Sequence, residues 1–141
     1  MIILDTHVIS EPLRPRPSDA VIEWLDAQSP ESLYLTAVNT AELWAGVARL
    51  PDGARRHALE SSLENLLHHL FGSRRLAFDE HAARTYAELV ALAAGKGVAL
   101  PLADGMVAAI AVVHGFAVAT RDARPFEAAG IRVIDPWVSR A

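Results

Sequence analysis

A chain of 141 residues with a hydrophobic share of 52% is long enough for one domain, over 1–141, with a single core. Its net charge of −4 and pI of about 5.8 exclude the global basic field of a dedicated nucleic-acid-binding module, and no apolar run reaches the ~20 residues of a membrane span. The absence of cysteine excludes disulfides and thiolate metal sites and, with no basic leader in residues 1–8 (MIILDTHV), points to the cytoplasm.

In chain order, residues 1–4 read as a buried first strand that stops at Asp5. The segment 10–17 holds three prolines and is expected to be a loop or one helical turn. Ser18 caps a predicted helix over 19–28, and 33–38 (LYLTAV) reads as the second strand. A helix over 40–50 then carries Glu42 in its first turn. A leucine-spaced amphipathic helix is predicted over 54–71, a third strand over 74–78, and a helix over 80–94 capped by Asp79. The last strand is expected over 131–134, closed by Asp135, Pro136 and Trp137.

The most informative stretch is 100–122, LPLADGMVAAIAVVHGFAVATRD. It reads as a helix buried on every side, opened by Pro101 and stopped by Gly115, then a short strand over 116–120 that leads to Asp122. One carboxylate, Asp104, interrupts the apolar helix. A charged side chain is rarely buried without a partner, and the helix dipole at a first turn answers only part of that need. The remainder calls for a cation.

Short apolar strands alternating with helices predict an α/β fold, an α/β/α sandwich with a mainly parallel sheet. In such sheets ligands bind beyond the carboxyl ends of the strands, where Asp5, Glu42, Asp104 and Asp122 are expected to meet. Two carboxylates ~4 Å apart repel by roughly 4 kcal/mol at an effective dielectric near 20, so such a cluster takes up protons or a cation. A proton-sharing dyad would do acid–base chemistry. A hard divalent ion on oxygen ligands would instead suit phosphodiester hydrolysis.

Three motifs, MIILDTHVISEPLRP, LTAVNTAELWAGVARLP and LPLADGMVAAIAVVHGFAVATRDARPFEAAGIRVIDPW, span nearly the whole chain. Through them the chain resembles the PIN-domain proteins, specifically the VapC-type toxin ribonucleases and their FitB-like branch. The resemblance implies a Mg²⁺- or Mn²⁺-dependent endoribonuclease with site acids at Asp5, Glu42, Asp104 and Asp122, the metal falling to Asp5, Asp104 and Asp122. It puts Thr6 and Thr120 close to the site as expected substrate contacts, and Arg121 beside Asp122 is a candidate phosphate contact with Arg14 and Arg16. It further implies a homodimer inhibited by a cognate antitoxin, with the 54–71 helix and the surface near Trp44 as candidate contacts.

Three departures stand out. His7 replaces the usual asparagine of DTN and is expected to hold the Asp5 turn or titrate near neutrality. Pro125 stands where a second acid is common, and Gly105, where alanine is common, is expected to loosen the turn that holds Asp104. A DNA-directed nuclease on the same acids, or a non-catalytic partner-binding module, are the rival readings.

Overall fold

The computed structural model describes residues 1–138; the last three residues of the expected 1–141 unit lie outside the described residues. Five strands, β1 (Ile2–Leu4), β2 (Leu33–Thr36), β3 (Arg75–Leu76), β4 (Ala117–Ala119) and β5 (Val133–Ile134), form one sheet in the order β3-β2-β1-β4-β5. All four pairings are parallel, with Ile3 opposite Tyr34 on one side and Val118 on the other. The strand order reverses at β1, so the crevice of a doubly wound sheet opens at its carboxyl end.

Strand residues alternate faces, and that period of two divides the core into two layers. Ile2, Leu4, Leu33, Leu35 and Ala119 pack with α2 (Asp19–Asp26), α3 (Ala37–Ala48), α4 (Ala54–Leu66) and a π-helical turn (Leu67–Phe71). Ile3 and Val118 point the other way, onto α5 (Glu80–Gly95), α6 (Leu102–His114) and α7 (Ala123–Ala128). The expected α/β/α sandwich is therefore the observed one. Phe71 in the first layer and Phe126 in the second are fully buried, each contributing about 1.5–3 kcal/mol by the area it removes from water.

Several boundaries moved for local reasons. The proline-rich segment follows a short helix, α1 (Thr6–Ser10), and itself holds a single 3₁₀ turn (Glu11–Leu13). Glu11, which nothing in the sequence marked out, is buried there; it accepts the Ser18 N–H at 3.0 Å and an Arg14 N–H at 3.3 Å. Those donors, the Ser18 N–H first, hold its carboxyl below the usual carboxylate range against the opposing effect of burial. On α5 the buried residues are Ala82, Leu89 and Ala93, while Leu92 is exposed, because the helix rests on α6 through its small side chains. α6 is buried over Val107 to Ala111 but open at both ends, with Leu102 63% and Val112 44% exposed, so it is not enclosed on every side.

Candidate active site

Each of the four acids leaves a different element and faces one cleft of about 520 Å³, which Thr6, His7 and Arg49 also line. Asp5 follows β1 directly, its N–H extending the ladder to the Ala119 carbonyl at 2.9 Å. Its carboxylate is 7% exposed and fixed at both oxygens: Oδ1 accepts the Thr6 N–H at 2.8 Å and Oδ2 accepts the Thr120 hydroxyl at 2.7 Å. Each oxygen keeps a second acceptor site for a ligand in the cleft.

Thr120 is fully buried, and its single hydroxyl does two jobs, donating to Asp5 and accepting the Asp122 N–H at 3.1 Å. With no exposed surface it does not reach a substrate, so the expected substrate contact is corrected to a clamp between two acids. Thr120→Val keeps the shape and orphans both partners, which costs about 1–3 kcal/mol. The expected drop in melting temperature is roughly 3–8 °C, with recovery in Thr120→Ser; an unchanged value for Thr120→Val would remove the clamp.

Asp122 sits at the N-cap position of α7, yet its side chain makes no capping hydrogen bond and is exposed. The carboxylate is thereby left to the cleft. Pro125 is buried inside the first turn of α7, where its missing N–H costs no helical bond. Arg121 is not among the residues lining the cleft: its guanidinium lies over the Trp137 ring, 5.0 Å from the centroid. The arginine that does line it, Arg49 at the C-cap of α3, was not singled out from sequence, although its spacing from Glu42 (seven residues, two helical turns) places both on one face.

Glu42 is the sixth residue of α3, in the second turn and not the first. The helix starts at Ala37, three residues before the expected start, because Thr36 and Asn39 form a reciprocal capping box, a T-x-x-N pattern that the sequence displays. Glu42 Oε1 accepts the Thr6 hydroxyl at 2.9 Å. Asp104, third residue of α6, is partly buried and has no hydrogen-bond partner among the described residues. Burial first, then the Asp5, Asp122 and Glu42 carboxylates, push its pKa up to about 6, and His7 opposes them weakly.

His7 is exposed on α1, and its ring makes no hydrogen bond among the described residues; the Asp5 turn is held by Thr6 and Thr120 instead. Gly105 does not loosen its turn. A Cβ there would stand 2.6 Å from Tyr86 Cε2, so the glycine makes room for an aromatic ring.

Among the described residues no three His, Asp or Glu side chains close into a preformed metal cage. A closed structural site does not fit. The donors are carboxylate oxygens under mutual repulsion, with open room beside them, which fits a hard divalent ion that keeps some of its own water.

The PIN domain family model matches residues 2–131. VapC ribonuclease Y4jK of Sinorhizobium fredii is 50% identical over 137 residues, 97% of this chain and 98% of that protein. Toxin FitB of Neisseria gonorrhoeae is 46% identical over 97% of this chain and 99% of its own. The crystal structure of FitAcB from Neisseria gonorrhoeae superposes with a TM-score of 0.94 at 45% identity, covering 99% of this chain and 100% of that one. Five parallel strands in this order, acids gathered at their carboxyl ends and matches over nearly the full length lead to one conclusion: the chain belongs to the PIN-domain family.

Proposed function

We propose that this protein is a divalent-metal-dependent endoribonuclease, the toxin of a type II toxin–antitoxin module. The observation that carries the reading is the convergence of Asp5, Glu42, Asp104 and Asp122 on one cleft, with Asp104 pushed up to about 6 by burial and then by its acidic neighbours. Asp5, Asp104 and Asp122 are the residues that would hold Mg²⁺ or Mn²⁺. When bound, the ion would lower the pKa of water and neutralise charge developing on a phosphodiester. Asp5, clamped at both oxygens, supplies a fixed ligand and needs little reorganisation. Asp104 and Asp122 would complete the ligand set, and Glu42 would orient the attacking water and take its proton. Arg49 lies about 10 Å along α3 from Glu42 at ~1.5 Å per residue, placing it on a flanking phosphate.

RNA as substrate is supported by the relative named VapC ribonuclease. Work on cellular RNA belongs to the cytoplasm, and among the described residues no helix is long and apolar enough to cross a membrane. A second trough of about 670 Å³ adjoins the acids, where Leu43, Val47, Leu59 and Leu63 form an apolar floor beside Arg14 and Arg55. Its floor comes from α3 and α4, the surfaces expected to meet a cognate antitoxin; a homodimer completes the reading.

The test is cleavage of structured and single-stranded RNAs by protein freed of antitoxin, with Mn²⁺ or Mg²⁺ and then with EDTA. Cutting that EDTA stops and added metal restores is the expected result. No cutting together with no Mn²⁺ binding would favour a non-catalytic docking pocket, and cutting of DNA alone the DNA-directed rival. Arg49→Ala is expected to raise the KM for RNA several-fold with kcat nearly unchanged. The log–log salt dependence of binding should flatten by about 0.7, one phosphate contact on a single strand.

A further inference from the structure

We infer that Asn39 is a positioning residue that commits the Thr6 hydroxyl to Glu42, and so holds Glu42 at the cleft wall. The inference rests on the ribonuclease reading for what Glu42 does there. Asn39 is fully buried. Its Oδ1 accepts both the Thr36 N–H at 3.2 Å and the Thr36 hydroxyl at 2.7 Å, while its own N–H donates to Thr36 Oγ1 at 3.1 Å. Two donors on one oxygen settle the orientation of the amide, leaving Nδ2 to face Thr6 Oγ1 at 3.4 Å. The Thr6 hydroxyl has one proton. Since it accepts from Asn39, that proton goes to Glu42 Oε1, 2.9 Å away.

Of the Asn39 side chain, the helix cap uses only the oxygen. Nothing in the cap requires the amide nitrogen to point at Thr6, a residue 33 positions earlier on another element. Glu42 is exposed and has no other hydrogen bond among the described residues, so a long side chain otherwise free to rotate is tethered by this one chain of donors. With an acceptor in place of the Asn39 nitrogen, the Thr6 proton would turn away from Glu42.

Asn39→Asp is that change: it keeps the capping oxygen and exchanges the donor for an acceptor. It should lower kcat for RNA at least tenfold with KM within twofold of wild type and, because Glu42 would hold a water beside the ion, weaken Mn²⁺ binding to the RNA-free protein several-fold. Thr6→Val should show the same losses, and the double variant should be no worse than Thr6→Val alone, because the two act in series. If the buried aspartate prevents folding, Asn39→Ala replaces it; its loss of kcat should likewise vanish in the Thr6→Val background. Additive losses, or wild-type kcat and Mn²⁺ affinity in the folded variants, would overturn the inference. A wild-type protein that cuts no RNA, yet loses Mn²⁺ affinity non-additively in these variants, would sink the ribonuclease reading and leave the Asn39 chain standing.

Discussion

Asp104→Asn is expected to stop RNA cleavage and, in metal-free protein, to raise the melting temperature. The two effects share a cause. Asp104 carries a raised pKa of about 6 because it is partly buried and faces Asp5, Asp122 and Glu42. A carboxyl whose folded pKa lies above its unfolded value of 3.8 binds more protons in the fold than in the unfolded chain across that window. Its favourable contribution is complete below pH 3.8 and is lost as pH rises through about 6. At pH 7 the ionised group therefore costs stability, about 1–2 kcal/mol after solvent screening of a group that is only partly buried. Asparagine removes the charge at nearly constant shape, for a gain of roughly 3–6 °C.

Activity should fall by more than about a hundredfold, beyond the 10–100-fold typical of residues that only support a metal ligand. The same titration makes Mn²⁺ affinity of the wild type fall below pH 6, since proton and cation compete for one carboxylate. Calorimetric melting and Mn²⁺ titration between pH 5 and 8 check both. A destabilised Asp104→Asn protein with a pH-independent wild-type affinity would contradict this account of the cluster.

Gly105→Ala is the second large effect, and its sign is opposite to the usual one. Inside a helix the change ordinarily stabilises by about 1 kcal/mol. Here the new methyl would lie 2.6 Å and 3.1 Å from Tyr86 Cε2 and Cδ2, and 3.3 Å from Leu100 Cδ2. The Tyr86 ring is itself set edge-on to Phe78, with centroids 6.4 Å apart, so it does not move aside freely. Overpacking of this kind costs about 1–3 kcal/mol, which outweighs the propensity gain. A net loss of up to roughly 6 °C is expected, together with reduced cleavage, because any shift of α6 at Gly105 moves Asp104 beside it. Adding Tyr86→Leu should return much of both. A Gly105→Ala protein that melts higher than wild type would show that the ring yields at no cost.

Much of the frame was legible in the chain. The alternation of short apolar runs with helical patterns specified a parallel sheet between helices, since each pattern has one geometry that buries it. The acid in the apolar 100–122 stretch was legible for the same reason: an unpaired charge among apolar residues is costly, so its presence marks a site. The start of α3 is legible too, since Thr36 and Asn39 announce it by their spacing, ahead of the start that apolar periodicity suggests.

Other features had no one-dimensional signal. That Thr120 serves Asp5 and Asp122 instead of a substrate depends on a hydrogen bond across 115 residues. That Arg49 and not Arg121 faces the acids depends on where the end of α3 falls against α6, and on Trp137 drawing Arg121 away. Gly105 reads in the sequence as a loosened turn, whereas in the fold Tyr86 occupies the space of its missing side chain. By itself, then, the sequence determined the elements, the parallel sheet between helices and the strand ends that carry acids, because periodicity and burial are local properties of the chain. Only the tertiary structure decided which hydroxyl and which amide hold each acid, because a hydrogen bond is set by distance in space and orientation, and neither is written in residue order.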